Sequence, residues 1–346
     1  MKNPIPVVIN PKASRYKNAK KLAKGLALHA TPRFRVITAA NIKATKSELK
    51  SAIKKGAKYV VIHGGDGTMY HALNALAEVY SATRKEWPVT IVVVGAGATN
   101  AMANCVTKPG PITYFFFKIL AQGRDVLHED AWINLMRIQM TDSKGKKQQV
   151  VGTIAHVAGL FNRFFLLFFD SQRTILQNIV KALRLAFKQS SRTPGRKPTT
   201  EDSLFEPFPA DVEADKRLLD YTGYSMLNVT SIPARIAHLL RFFVQIPPDK
   251  IRLVAGRVSP LEIFKNIPRI LLAHKMKGKS GKEHDVDACE VSAADGNLLT
   301  PVIDGEIFHE IKHIKFSRGP RVRMISLAEF VRQNPELMPV KTEKRG

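Results

Sequence analysis

The chain has 346 residues, 45% of them hydrophobic, and this length favours two domains over one. It carries 54 lysine and arginine residues against 29 acidic residues, which gives a formal net charge of +25. Such an excess favours an anionic partner, namely a phosphate-bearing ligand, a nucleic acid or an anionic membrane surface, and composition alone does not choose among the three.

Apolar and helical patterns alternate over the first third of the chain. Helical patterns cover about residues 16–29, 46–56 and 69–80, and continuous apolar runs lie before and between them. These runs predict strands at Pro6–Asn10, Arg33–Thr38, Lys58–His63 and Thr90–Gly95. Continuous apolar strands that alternate with helices are typical of a parallel sheet covered on both faces. We therefore predict an α/β N-terminal domain.

Polar or glycine-rich turns follow three of these strands. They are NPKAS at 10–14, GGDGT at 64–68 and GAGATNAMA at 95–103. Ligands of parallel sheets bind outside the carboxyl ends of the strands, and glycines allow backbone N–H groups to approach a phosphate there. Neither Walker A nor dinucleotide-binding spacing is present. The carboxylate of Asp66 inside such a loop indicates a divalent cation or an attacking hydroxyl nearby.

Beyond Gly123 the pattern changes to short β-type runs separated by polar turns. This pattern predicts an antiparallel β-sandwich domain. We predict an α/β domain at 1–123, a β-rich domain at 124–330 and a C-terminal tail at 331–346. The late motif Asp304-Gly305-Glu306, taken alone, is typical of a turn between two strands.

Three segments of the β-rich part are unusually apolar or basic. FNRFFLLFF at 161–169 is predicted to be a buried strand or part of an apolar wall. Residues 171–200 contain seven basic residues and no acid, with apolar residues at helical spacing, so a basic amphipathic helix at a lipid surface and an ordinary core-packing helix both remain open. Residues 261–282 carry six lysines or arginines and a single acid.

The two cysteines, Cys105 and Cys289, are too few for a disulfide or metal framework and are expected to be buried thiols. The N-terminal apolar stretch is too short for a signal peptide, and the apolar run at 160–170 is far shorter than the ~20 residues that span a bilayer. We expect a cytoplasmic protein whose membrane contact is peripheral.

The ordered set NPKAS, GGDGT, GAGATNAMA and DGE resembles the diacylglycerol kinase catalytic-domain superfamily, which includes bacterial lipid kinases, sphingosine kinases and ceramide kinases. The resemblance covers about residues 5–310. GGDGT alone is shared with NAD kinases, whereas the ordered set is more specific. The resemblance implies that the α/β domain binds ATP with Mg²⁺ and that the β-rich domain helps to bind a lipid.

The resemblance also implies particular residue roles. Asp66 would lie at the phosphates with Mg²⁺, Glu306 would accept the proton of the lipid hydroxyl, and Asp249 would help to hold a structural Mg²⁺. The implied nucleotide-binding residues are Asn10, Pro11, Thr38, Gly64, Gly65, Asp66, Gly67, Thr68, Gly97, Ala98, Thr99 and Asn100.

Three positions depart from the family pattern. Ser14 stands where the first motif usually ends in glycine, and Tyr70-His71 stand where the helix after GGDGT usually carries Asn-Glu. Ala98 lacks a hydroxyl that would contact phosphate, although Thr99 could supply one from the next position. These departures keep a non-catalytic lipid-binding relative open as an alternative.

We expect an ATP-dependent kinase that phosphorylates a hydroxyl of a diacylglycerol-, ceramide- or sphingoid-type lipid at an anionic membrane surface, with a homodimer possible. The alternatives are an NAD kinase-like enzyme and the non-catalytic lipid-binding protein. A nucleic-acid partner is not expected, because the chain shows no helix-turn-helix, RNA-recognition or zinc-finger signature.

Overall fold

The chain forms two compact units in a computed structural model. The first comprises Met1–Ser81, Glu86–Ile133 and Arg321–Gly346, and the second comprises Ala82–Lys85 and Asn134–Pro320. The structure describes residues 4–10, 34–38, 41–95, 102, 130–168, 177, 180–181, 184, 204–221, 223–236, 240–242, 245–272, 274 and 281–325. The predicted boundaries at 123 and 330 differ from this division, in which residues 124–133 and 321–330 belong to the first unit.

The first unit alternates strands and helices, as the sequence predicts. Its elements are β1 (Ile5–Ile9), β2 (Phe34–Thr38), α1 (Ile42–Lys54), β3 (Tyr59–Gly64), α2 (Asp66–Tyr80) and β4 (Glu86–Gly95), with the start of β5 (Asp130–Asp142) and the end of β18 (Ile311–Ile325). The strand order β2-β1-β3-β4-β18 is parallel at every junction. The predicted parallel sheet is confirmed.

Burial follows strand position in this sheet. All five residues of β1 are buried, whereas β2 buries only Ile37. The predicted strand at Arg33–Thr38 is present as Phe34–Thr38, and among the described strands it pairs with β1 alone. An outermost strand has one flank without a partner, and four of its five side chains remain at least partly exposed.

Local chemistry explains α1 and α2 of this unit. The side chain of Asn41 accepts a hydrogen bond from Ala44 N (3.2 Å) and caps α1, whose residues Leu49 and Ile53 are buried. Helix α2 begins at Asp66 and buries a run of apolar residues at helical spacing. Those residues are Met69, Tyr70, Ala72, Leu73, Ala75 and Leu76.

The described part of the second unit is built from antiparallel strands and includes the two helices α3 and α4. Its elements are β5 from residue 134 on, β6 (Lys147–Gly152), β7 (Ile154–Gly159), α3 (Leu160–Phe168), β8 (Ala210–Ala214), β9 (Arg217–Leu218), β10 (Met226–Thr230), β11 (Ala234–Ile236), β12 (Leu240–Phe242), β13 (Ile251–Gly256), α4 (Pro260–Leu271), β14 (Gly281–Val286), β15 (Ala288–Ala293), β16 (Val302–Ile303), β17 (Glu306–Ile307) and β18 up to residue 320.

These strands form two principal antiparallel arrangements. One has the order β14-β13-β10-β7-β16-β17, and the other has the order β18-β15-β8-β9. The predicted antiparallel β domain is confirmed. Among the described residues, no helix is both long and apolar enough to cross a membrane.

The apolar run after Gly159 forms the helix α3 up to Phe168, so of the two alternatives for 161–169 the buried strand is wrong, and the apolar wall stays a prediction. Gly159 has φ +78°, and a Cβ there would lie 2.2 Å from Ser225 O, so only glycine fits this sharp end of β7. The chain then turns, and Leu160 N donates to Ser225 O (2.7 Å) at the start of α3. Most of the predicted helix at 171–200 lies outside the described residues.

Of the two cysteines, Cys289 is described, and its burial determines its reactivity. Cys289 is buried in β15, and burial raises the pKa of its thiol well above the ordinary value. Its reactivity as a thiolate is therefore low near neutral pH. Cys105 lies outside the described residues.

Arg252 is the most deeply buried charge described in the second unit. Its side chain on β13 has no exposed surface, and it donates to both carboxylate oxygens of Asp285 (2.8 and 3.0 Å), to Glu283 (2.9 Å) and to Gln245 O (3.1 Å). Asp285 lies directly opposite Arg252 on β14. The guanidinium thus joins two strands and the loop that precedes β13.

Replacing Arg252 by methionine is expected to lower the free energy of unfolding by about 3–5 kcal/mol, since two carboxylates then lose their buried partner. Urea unfolding of Arg252→Met measures this loss. Lys250→Met is the matched control, because its partner Asp287 is exposed and its ion pair contributes little. Equal unfolding midpoints for the two variants would contradict the expectation.

Candidate active site

The carboxyl ends of the first unit's strands meet at one edge of the sheet. Ile9 lies opposite both Thr38 and His63, and Gly64 lies opposite Gly95. The predicted turns after β1, β3 and β4 therefore start from the same edge. Thr38, an implied nucleotide-binding residue, ends β2 at this edge and is exposed.

A side-chain hydrogen bond joins two of the predicted motifs. Asn10 Nδ2 donates to Thr68 Oγ1 (2.8 Å), and the backbone N–H of Asn10 donates to His63 O (3.0 Å). Thr68 is buried in the first turn of α2. The two bonds fix the end of β1 against the end of β3 and the start of the helix.

The glycine at the end of β3 allows the first turn of α2 to lie close to the strand. A Cβ on Gly64 would lie 2.4 Å from Thr68 Oγ1 and 2.5 Å from Thr68 Cβ, so any larger residue would displace Thr68. Glycine is required at the end of β3 because the first turn of α2 leaves no room for a side chain there. The φ of Gly64 is not in the left-handed region, so the backbone conformation does not itself require glycine.

The start of α2 has the form of an anion site. Gly65 is the N-cap and supplies no side chain to the helix, and Gly65 O accepts the first helical bond from Met69 N (3.1 Å). The first N–H groups of a helix have no partner within it, and the helix dipole favours negative charge at this end. Asp66, in the first turn, is partly exposed.

The position of Asp66 fits a magnesium ion held largely by substrate phosphates. Mg²⁺ prefers carboxylate and phosphate oxygens and is bound in such sites by one or two carboxylates. Among the described residues, no group of three histidine, cysteine or acidic side chains could hold a metal ion by itself. Asp66 thus supplies one oxygen ligand of the right type, and the remaining ligands would come from phosphates and water.

The helix positions that depart from the family pattern have structural explanations. Tyr70 is buried, and its ring packs edge-on against His71 with centroids 5.3 Å apart. Asn74 Nδ2 donates to Tyr70 O (2.9 Å) one turn later. His63 before the loop is buried, and burial lowers the pKa of its imidazole, so the ring is neutral at neutral pH.

Several implied residues lie outside the described part of the chain. They are Pro11, Gly97, Ala98, Thr99 and Asn100, together with Ser14 of the first motif. Their assignments stay predictions. Gly65 and Gly67 are described and partly exposed beside Asp66.

In the second unit, the DGE motif forms a two-residue hairpin turn. Asp304 and Gly305 have φ +46° and +90° and connect β16 to β17, where Ile303 pairs with Glu306. Positive φ at both central residues is typical of the hairpin turn that matches strand twist, and Asp-Gly is a preferred sequence for it. The turn that this motif indicates when taken alone is confirmed.

The carboxylate of Asp304 holds this hairpin against the start of β7. It accepts hydrogen bonds from Thr153 N (2.8 Å), Thr153 Oγ1 (2.7 Å) and Ile154 N (2.9 Å). Burial raises the pKa of Asp304 to about 6, although these three hydrogen bonds act in the opposite direction. Sequence analysis did not assign this role, which depends on residues about 150 positions away. The only signal was an Asp-Gly pair between two apolar runs.

The hydrogen bonds of Asp304 also fix the strand that carries Glu306. Glu306 is partly exposed on β17, and its pairing partner Ile303 also pairs with Ala155 of β7. Side chains of directly paired residues lie on the same face of a sheet. Glu306 therefore shares a face with buried Ile303 and Ala155 but is itself partly exposed.

Asp249 is exposed in the turn before β13, where Lys250 N donates to Pro247 O (3.1 Å). Asn134 Nδ2 donates to Pro248 O (2.6 Å) and holds this turn against β5. Because the described residues contain no group of three metal ligands, Asp249 does not lie in such a group. Its role as a magnesium ligand stays a prediction.

Fold and site together define an α/β domain with a strand–helix turn of the kind that binds anions, and an antiparallel β domain. Residues 4–126 match the family model of the diacylglycerol kinase catalytic domain. This segment is therefore similar to diacylglycerol kinase catalytic domains, and the predicted resemblance is confirmed.

Solved structures of similar fold cover nearly the whole chain. A putative diacylglycerol kinase from Bacillus anthracis str. Sterne has 13% identity and a TM-score of 0.62 over 94% of this chain and 97% of that chain. A second structure, of a diacylglycerol kinase from the same organism, has 12% identity and a TM-score of 0.58 over 94% of this chain and 97% of that chain. A third, again a putative diacylglycerol kinase from Bacillus anthracis str. Sterne, has 13% identity and a TM-score of 0.59 over 97% and 99%. No curated protein matches the chain.

Thr68→Val is expected to lower the free energy of unfolding by about 1–2 kcal/mol, because Asn10 Nδ2 loses its acceptor while the shape of the side chain is kept. Thr68→Ser keeps the hydroxyl and should remain close to wild type. Urea unfolding of the three proteins measures the difference. If Ser and Val were equally destabilising, the hydrogen bond would not be the cause.

Asp304 is expected to make stability fall as pH rises from about 4 to about 6. Its folded-state pKa of about 6 exceeds the ordinary aspartate value of 3.8, so in this window the folded state binds more protons than the unfolded state. The stabilisation is therefore complete below the unfolded pKa and is lost as pH passes the folded value, with an upper limit of about 3 kcal/mol.

The check is urea unfolding of wild type and Asp304→Asn at a series of pH values across this window. The difference in free energy of unfolding between the two proteins should change with pH, since Asn does not titrate. Parallel profiles would show that Asp304 does not titrate with a raised pKa.

Proposed function

We propose that the protein is an ATP-dependent lipid kinase that phosphorylates a hydroxyl of a diacylglycerol-, ceramide- or sphingoid-type lipid. The observation that carries this proposal is the start of α2. There the GGDGT turn places an uncapped helix N-terminus and the carboxylate of Asp66 at the carboxyl edge of a parallel sheet, within a segment that matches a diacylglycerol kinase catalytic domain.

Phosphoryl transfer depends mainly on positioning and on charge stabilisation. In this chain the backbone N–H groups at Gly65–Thr68 would bind phosphate oxygens, and the bond between Asn10 and Thr68 would hold that turn in place. Asp66 would hold Mg²⁺, which would neutralise charge on the phosphates.

Glu306 is proposed as the group that accepts the proton from the lipid hydroxyl. It is the carboxylate that corresponds to the proton acceptor in the resemblance, and it is partly exposed at the end of a short hairpin. The buried carboxylate of Asp304 fixes the hairpin, so Asp304 is a positioning residue for Glu306. A base in this role must lie within hydrogen-bond reach of the hydroxyl.

A non-catalytic lipid-binding protein is the second candidate. Tyr70 is buried in the helix core, and it stands with His71 where the family pattern has Asn-Glu. A tyrosine packed into the core does not supply the polar side chain that the pattern has at that position. This candidate predicts lipid binding without phosphoryl transfer.

Transfer of labelled phosphate from ATP·Mg²⁺ to lipids in mixed micelles is the direct test. The panel contains diacylglycerol, ceramide, sphingosine and monoacylglycerol, with soluble NAD in a separate arm. Label in one lipid, abolished by Asp66→Ala, is the expected result and identifies the acceptor. Label in NAD alone would favour an NAD kinase-like enzyme, and lipid binding without label would favour the non-catalytic candidate.

Glu306→Gln is expected to lower kcat by about 10²–10⁴-fold, because general-base catalysis contributes about that much. ATP binding, measured by calorimetry, should stay near wild type. Glu310→Gln is the matched control, since Glu310 is an exposed carboxylate of the same unit whose partner is Ser143. Wild-type turnover in Glu306→Gln would exclude this residue as the base.

A further inference from the structure

Helix α4 presents leucines to solvent at both of its ends. Leu261 is 52% exposed near the start, and Leu271 and Leu272 are 44% and 68% exposed at the end. Leu272 continues the helical hydrogen bonding, since its N–H donates to Pro268 O (3.0 Å). Three exposed leucines on one short helix are more than a helix that only packs against a core requires.

The exposed residues lie on one side of α4. Leu261, Lys265, Pro268 and Leu272 are all exposed and follow one another at intervals of four, three and four, which places them on one helical face. Leu271 extends this face at its edge. The opposite side contains Asn266, which is buried and donates to Glu262 O (2.8 Å). We call the five residues Leu261, Lys265, Pro268, Leu271 and Leu272 the α4 face.

The charge around the α4 face is positive. Lys265 is exposed on the face, Arg269 is partly exposed beside it, and Arg257 is exposed just before the helix. In the sequence, residues 275–282 contain four lysines and no acid.

The single acid of the helix has another function. Glu262 Oε2 accepts hydrogen bonds from Ser259 N (2.9 Å) and Ser259 Oγ (3.3 Å), and Glu262 N donates to Ser259 Oγ (3.3 Å). This reciprocal pair is a capping box, and it keeps the carboxylate at the helix N-terminus, where the dipole favours it. The carboxylate of Glu262 is therefore held at the first turn of the helix, and Lys265 and Arg269 leave the helix with a net positive charge.

We propose that the α4 face binds the surface of an anionic phospholipid bilayer. Exposed leucines enter the boundary between headgroups and acyl chains, and the cations contact lipid phosphates. A helix of 12 residues is about 18 Å long, much shorter than the ~30 Å hydrocarbon core, so α4 lies along the surface. The net charge of +25 favours the same partner from a distance.

Helix α3 shows why exposed leucines alone do not identify this surface. Leu166 and Leu167 are 37% and 39% exposed there. The only cation of α3, Arg163, donates to Glu206 O and is held in the protein. Helix α4 is the described helix that combines larger leucine exposure with an exposed cation on the same face.

This inference deepens the proposed function and rests on it for its purpose, because a lipid kinase must reach a substrate that is dissolved in a membrane. The binding itself requires neither ATP nor turnover. A protein that binds vesicles without phosphorylating any lipid would therefore contradict the proposed function and leave the inference standing.

Sedimentation of the full-length protein with vesicles tests the inference. The vesicles contain phosphatidylcholine alone or with phosphatidylglycerol, and nucleotide is omitted. Binding is expected only with the anionic lipid and should weaken as salt is raised. Leu271→Ser/Leu272→Ser should lower vesicle affinity about tenfold to hundredfold, and Lys265→Glu should lower it by about tenfold.

Leu218→Ser/Leu298→Ser is the matched control, because these leucines are 70% and 40% exposed on other elements of the same unit. This control should bind vesicles as wild type does. Absence of wild-type binding to anionic vesicles would overturn the inference, and so would equal losses in the two double variants. Gel filtration of the same proteins shows whether the leucines instead join two copies of the chain, which would also overturn it.

Insertion depth gives an independent measurement. Leu272→Trp should show tryptophan quenching by lipids brominated in the acyl chain, whereas Leu218→Trp should not. The two native tryptophans provide the background, since Trp87 is buried and Trp132 is 37% exposed in the other unit. Equal quenching at both positions would contradict docking through α4.

Discussion

The parallel pairing of β3 with β1 and β4 determines where the first unit can do chemistry. Because all three strands run in one direction, the turns that follow them start from one edge of the sheet. The buried strands fix that edge, and helix α2 starts there with its N–H groups directed away from the strand. The hydrogen bond between Asn10 and Thr68 then joins two turns that are 58 residues apart.

Much of this arrangement could be predicted from sequence. Apolar runs predicted the strands of the first unit, and GGDGT indicated a turn where a side chain has no room, as the distance between Gly64 and Thr68 shows. One local alternative, the buried strand at 161–169, was wrong for a physical reason. This run is apolar except for Asn162 and Arg163, so its pattern does not separate strand from helix.

The second unit shows what sequence could not supply. The DGE motif predicted a role for Glu306, whereas the structure shows that the carboxylate of Asp304 fixes the hairpin by accepting hydrogen bonds from Thr153 and Ile154. Likewise, Arg252 is a basic residue in an apolar strand, and only the pairing of β13 with β14 shows why it is tolerated there. Both cases depend on partners chosen by tertiary pairing, which no local pattern contains.

The last strand has a consequence for how the protein is made. Residues 321–325 of β18 complete the parallel part of the sheet by pairing with β4, although the other described strands of that part, β1 to β4, lie before residue 96. During synthesis on the ribosome, more than 200 further residues are therefore added after β4 before its partner β18 emerges. An unpaired edge during this interval is a site for wrong pairing between nascent chains, so chaperone protection matters most before the C-terminus is released.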